Sequence, residues 1–106
     1  MDLQEIQQLV RQGNYEVSFH AQQERLEEDL DIIEIEAALL GTAEILEEYP
    51  NDPRGQSCLV LGLAGVRPIH VVLGSAERKR DGRKILRIIT VLSQVCQNGL
   101  TREREG

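Results

Sequence analysis

Two histidines stand 50 positions apart in a chain of 106 residues, His20 and His70. Imidazole is the side chain that changes charge nearest neutral pH, so two in one small domain can serve as general acid and general base if the fold brings them together. His20 lies in the run SFHAQQERLEE. His70 lies in RPIHVV, alternating with Ile69 and Val71, so it points to the face opposite those two, as Val72 does. The competing reading is two unrelated histidines, each with a satisfied hydrogen bond in the core or at a sheet edge.

A second constellation is cationic. Arg78, Lys79, Arg80, Arg83 and Lys84 surround Asp81-Gly82, and Arg87 extends the series. Guanidinium forks bind phosphate oxygens bidentately, which makes this stretch a candidate phosphate clamp. The same cations would also suit a solvated hairpin tip that protects edge strands from pairing. Cys58 and Cys96 have no zinc-type spacing, and Gly62, Gly65 and Gly74 do not form a phosphate loop, so neither a metal nor a cofactor is expected. The acidic run from Glu24 to Asp31 reads as a solvated helix face.

The net charge of −6 conceals a division. Residues 1–53 hold two basic against fourteen acidic side chains, a balance of −12; residues 54–106 hold ten against four, a balance of +6. One half can meet a polyanion while the other repels it. Aromatic residues are few (two Tyr, one Phe, no Trp), so the core must be built from Leu, Ile and Val. The N-terminal residues MDLQEIQQLV lack the basic and apolar segments of a signal peptide. No apolar run approaches the roughly 20 residues of a membrane helix. With two cysteines and no disulfide framework, a soluble cytoplasmic domain is expected.

The elements that must position these groups follow from periodicity. Asp2 and Glu5 have capping-box spacing before Leu3, Ile6, Leu9 and Val10, which predicts a helix over about 3–12 with Gly13 as its stop. Ser18 is a good N-cap for a second helix reaching about Glu28, with Asn14–Val17 as the connection. Asp31 and Glu34 cap a third, which ends at Gly41. Thr42–Tyr49 read as a first strand. Pro50 and Pro53 then fix a turn, Ser57–Leu63 form an apolar strand, and Pro68–Gly74 return. Asp81-Gly82 predicts a type I′ turn between the third strand and a fourth, with the cations at its tip. The expected fold is α+β, with three N-terminal helices packed on one face of a four-stranded antiparallel meander. Residues 1–93 form one domain, and 94–106 a flexible tail.

The ordered combination YPNDPRGQSCLVLG, RPIHVV and IITV, preceded by SFHAQQERLEE, closely resembles the family described as domain of unknown function 4258, over roughly residues 5–92. That family is considered similar to the RelE-like and MqsR-like toxins of toxin–antitoxin systems. The resemblance implies a RelE-like toxin fold and a metal-independent endoribonuclease acting on messenger RNA, sometimes on the ribosome. It also implies a cognate antitoxin with a zinc-finger domain. Its two recurring histidines match His20 and His70, the catalytic candidates, and its helical arginine matches Arg25. Arg54 and Arg67 flank the central hairpin as phosphate-binding candidates beside Arg78, Lys79, Arg80, Arg83, Lys84 and Arg87. Tyr49, Asp52 and Ser57 also fit the pattern. The chain departs from it at Leu92, Ser93 and Gln94, where members usually carry Tyr and then Pro, and near Asp29, where a second arginine is usual. A non-catalytic interaction or RNA-binding domain on the same fold is the alternative.

Overall fold

A computed structural model of the chain describes residues 1–53 and 55–93; Arg54 and the expected tail at 94–106 lie outside the described residues. Three helices, α1 (Leu3–Arg11), α2 (Phe19–Glu27) and α3 (Ile32–Leu40), alternate at first with a short strand β1 (Tyr15–Val17). Four strands follow: β2 (Glu44–Tyr49), β3 (Ser57–Ala64), β4 (Arg67–Glu77) and β5 (Lys84–Ser93).

The helix ends obey the capping chemistry of the sequence. Asp2 accepts the Glu5 N–H at 2.8 Å, Ser18 accepts the Ala21 N–H at 3.0 Å, and Glu34 reaches back to the Asp31 N–H at 2.9 Å. α1 closes with a Schellman pair of bonds, Gly13 N–H to Val10 O and Asn14 N–H to Leu9 O, with Gly13 left-handed at φ 72°. α2 closes the same way, Asp29 to Leu26 and Leu30 to Arg25, but here Asp29 takes the left-handed position at φ 57°. Gly41 ends α3 without entering that region.

The sheet differs from the expected meander. It has five strands in the order β1-β5-β4-β3-β2, and β1 pairs parallel to β5 through Tyr15 with Leu86, Glu16 with Arg87, and Val17 with Ile88. The segment expected to be a connection is therefore an edge strand, and the sheet is mixed rather than antiparallel throughout. Three residues are too few to display alternation, and their partner lies about 70 positions later, so no local signal announces them. The hairpin tip differs too. β4 stops at Glu77 and β5 starts at Lys84, and the intervening loop closes through Arg78 N–H to Arg83 O at 2.8 Å and Gly82 N–H to Arg78 O at 2.7 Å. Gly82 is left-handed, whereas Asp81 keeps a negative φ and uses its carboxylate to accept the Arg83 N–H. The longer loop replaces the expected two-residue turn.

All three helices contribute to one core with a single face of the sheet. Ile6, Val10, Ala21, Ile35, Ala38 and Leu39 pack against Cys58, Val60, Ile69, Val71, Leu73, Leu86, Ile88 and Val91. α3 lies over β3, α1 packs on α3, and α2 runs against β5. Cys58 is part of this core, and burial pushes its thiol up to about 11, which keeps it protonated and unreactive. No described helix is long and apolar enough to cross a membrane.

Candidate functional site

The face of the sheet away from that core is defined by register. One row crosses all five strands: Tyr49, Ser57, Gly74, Arg87 and Glu16 are successive partners on β2, β3, β4, β5 and β1. A cavity of about 900 Å³ opens over the β3-to-β1 part of this row. Ser18 and His20 line it from the start of α2, and Arg78, Lys79 and Arg80 from the hairpin tip. Arg87 and Glu16 line it from the sheet, and Asp52 and Ser57 from the turn before β3.

α2 reaches this position because of where β1 stops. Beyond Ile88 the edge of β5 has no strand partner among the described residues, and α2 with its N-cap supplies substitutes: Ser18 N–H bonds Ile88 O at 2.9 Å, the Ser18 hydroxyl donates to Ile89 O at 3.1 Å, and Glu24 accepts the Val91 N–H at 3.0 Å. A bulge in β5 between the Val72–Thr90 and Leu73–Ile88 pairs leaves Ile89 over the cavity side. Gly74 accommodates it, since a Cβ there would meet Ile89 Cδ1 at 3.0 Å. The other oxygen of Glu24 lies 3.3 Å from His20 Nε2, so a carboxylate fixed to the sheet faces the histidine ring.

The cations differ in how firmly they are held. Arg78 donates from Nη2 to Asn14 Oδ1 at 2.8 Å, and its Nε lies 3.7 Å from Asp81, so its guanidinium is braced at the cavity wall. Arg87 pairs with Glu16 at 2.8 Å, but both side chains are about half exposed (54% and 43%). Such a pair contributes little and can exchange its carboxylate for another anion. At the far wall the buried Ser57 hydroxyl donates to Asp52 at 3.1 Å. Gly55, at φ 114°, makes the turn that brings Asp52 there. Tyr49 hydrogen-bonds to Glu47, which holds its hydroxyl neutral above the ordinary phenol range.

The structure gathers His20, Arg78, Lys79, Arg80 and Arg87 around the cavity and leaves His70, Arg25, Arg67, Arg83 and Lys84 outside its lining. His70 sits between Leu61 and Leu92 on the same sheet face, four residues along β4 from Gly74, or roughly 13 Å at strand spacing. It does not line this cavity, which His20 does. Arg25 donates to Gln22 and, at 3.2 Å, to Leu30 O, which braces the turn between α2 and α3. Arg67 joins Ser93 (2.9 Å) to the Glu28 carbonyl, tying β4 and β5 to the end of α2. Lys84 pairs with Glu5 of α1. Arg83 closes the hairpin through its backbone and stands outside the cavity lining. Arg54 lies outside the described residues.

Sequence reasoning missed Ser18, Glu16 and Glu24 as parts of the site. Glu24 was legible in principle, since it stands four residues after His20 on the same helix. Among the described residues, no three His, Cys, Asp or Glu side chains are grouped to hold a metal ion. Residues 17–93 match the family model described as Domain of unknown function (DUF4258), and the chain belongs to that family. No curated protein and no solved structure gives a match.

Proposed function

We propose that the chain is a toxin-like endoribonuclease of the messenger-RNA interferase type. In this reading His20, rather than a His20–His70 pair, is the acid/base group. The observation that carries it is the cavity on the open sheet face, where one histidine faces a carboxylate and stands among Arg78, Lys79, Arg80 and Arg87. The charge division of the chain fits the same reading in part: the basic half supplies Arg78, Lys79, Arg80 and Arg87 to the cavity, while the acidic half supplies Glu16 and Asp52 along with His20.

The chemistry is attack of an RNA 2′-hydroxyl on its own 3′-phosphate. The 2′-oxygen–phosphorus bond forms, the phosphorus–5′-oxygen bond breaks, and the products carry a 2′,3′-cyclic phosphate and a 5′-hydroxyl. His20 accepts the 2′-hydroxyl proton, with Glu24 holding the ring in position, and the leaving oxygen takes a proton from solvent. Arg78 and Arg87 stabilise the charge on the pentavalent phosphate, Arg87 by leaving Glu16. The partners under this proposal are messenger RNA, on or off the ribosome, and a cognate antitoxin with a zinc-finger domain. The proposed location is the cytoplasm.

The test is incubation of the purified protein with messenger RNA in EDTA, beside His20→Ala and His70→Ala. Cleavage that His20→Ala abolishes and His70→Ala retains supports the proposal. RNA left intact by the wild-type protein would sink it. A second reading, RNA binding without cleavage, is favoured by the Arg87–Glu16 pair, which occupies one guanidinium of the cavity lining; it requires salt-dependent binding with no cyclic-phosphate product.

A further inference from the structure

Phe19 is the single phenylalanine of a chain with no tryptophan, and it is 79% exposed. Phenylalanine belongs among the residue types most often found inside, and this core is complete without it. It is the first residue of α2, flanked by Ser18 and His20, and both neighbours line the cavity. Side chains on a helix lean toward its N-terminus, so the ring leans toward the Ser18 end of α2, next to the cavity lining and not part of it.

The surroundings restrict what can reach it. The first turn of α2 contains no acidic residue, whereas Glu5 and Glu34 occupy the first turns of α1 and α3. Carboxylates begin one turn later, at Glu24, and continue through Glu27, Glu28 and Asp29. Before α2, Glu16 is paired with Arg87, so a polyanion meets less repulsion at the start of α2 than along the rest. An unpaired nucleotide offers a ring face for the aromatic and a phosphate for the adjacent cations; in a duplex both ring faces are already stacked.

We infer that Phe19 is a stacking platform for an unpaired nucleobase, and that the cavity takes single-stranded RNA in preference to duplex. This rests on the RNA reading above and adds the form of RNA and the residue that selects it.

The experiment uses a single-stranded RNA oligonucleotide with 2′-O-methyl groups, which cannot be cleaved by 2′-hydroxyl attack, and its duplex. Phe19→Trp introduces the chain's sole indole. Its fluorescence should be quenched by the single strand, and the duplex should leave it unchanged. Phe19→Leu keeps an apolar side chain without a ring face and should weaken single-strand binding about tenfold. The residue is exposed, and matching thermal melts will show that both variants fold. Wild-type binding that Phe19→Leu leaves unchanged, with no quenching in Phe19→Trp, overturns this inference alone. Unchanged RNA affinity with loss of a co-purifying protein in Phe19→Leu also overturns it, by assigning the ring to a protein contact. A wild-type chain that binds neither oligonucleotide overturns the RNA reading as well.

Discussion

Glu24 and His20 form an ion-pair geometry, 3.3 Å apart, in which one partner is anchored to the sheet and the other projects into solvent: the Glu24 side chain is 17% exposed and that of His20 68%. The anchor is the Val91 N–H, a β5 edge donor that β1 is too short to satisfy. The same carboxylate thus completes the sheet edge and sets the position of the histidine ring, which links the truncation of β1 directly to the geometry of the cavity.

Two Glu24 substitutions separate these duties. Glu24→Ala removes the acceptor of a part-buried N–H and should destabilise the fold by about 1–3 kcal/mol in urea denaturation. Glu24→Gln retains an acceptor for Val91, so its urea midpoint should stay close to wild type, while the RNA cleavage proposed above should fall about tenfold through loss of the carboxylate facing His20. A Glu24→Ala protein as stable as wild type would show that the Val91 bond contributes nothing.

Much of the fold was readable in the residues, because local chemistry determines it. The caps at Asp2, Ser18 and Asp31 and the stop at Gly13 mark the helices, and the long apolar strands mark the sheet. What escaped was either too short or too distant. β1 is defined by its pairing with Leu86–Ile88, not by its own three residues. The tip loop followed the Asp81 carboxylate rather than the backbone preference of Asp-Gly. The site was legible as chemistry and not as position: histidine and arginine types are visible, but only register reveals that Arg87 and Glu16 meet while His70 lies well along the sheet. Arg25 and Arg67 show the same limit, since each also donates to a main-chain carbonyl, Leu30 O and Glu28 O, that no side-chain pattern reports.

The cation assignments divide the basic residues into two classes. Under the proposed RNA-binding role, replacing Arg78, Lys79 and Arg80 together with Ala should weaken RNA binding and reduce the slope of log affinity against log salt by about 2, at about 0.7 per lost phosphate contact. Lys84→Ala, whose ammonium serves Glu5, should leave both unchanged. Equal effects from the two variants, measured by filter binding over a salt series, would discard the cavity as the RNA-contacting surface.

Tyr15 makes a pH prediction with a definite sign. Burial, and then its hydrogen bond to Glu36, raise its hydroxyl from 10.0 to about 12, because ionisation would place a phenolate beside a carboxylate. The folded value exceeds the unfolded one, so the stabilisation is fully present below pH 10 and is lost as pH rises toward about 12. The difference in urea midpoint between wild type and Tyr15→Phe should be constant from pH 7 to 9 and shift against wild type above 10. A difference that does not change with pH would mean that neither the burial of the Tyr15 hydroxyl nor its bond to Glu36 is maintained in solution.

Gly62 controls how closely α3 can approach β3, and hence the thickness of the layer that carries the open sheet face. A Cβ built there would stand 2.4 Å from the Ala38 carbonyl oxygen, 2.9 Å from its carbon and 3.1 Å from its Cβ. The first two contacts are with helix backbone, which cannot yield by a rotamer change. Gly62→Ala must therefore push α3 off the sheet and should destabilise the protein by about 2 kcal/mol or more, within or above the usual range for overpacking. Ala38→Gly would relieve only the 3.1 Å contact, so adding it to Gly62→Ala should not restore stability. Gly65→Ala is the control: its Cβ meets nothing within 4 Å, and its cost should be the about 1 kcal/mol of a left-handed φ of 68°. Rescue of Gly62→Ala by Ala38→Gly in urea denaturation would place the clash between side chains and refute the backbone contact.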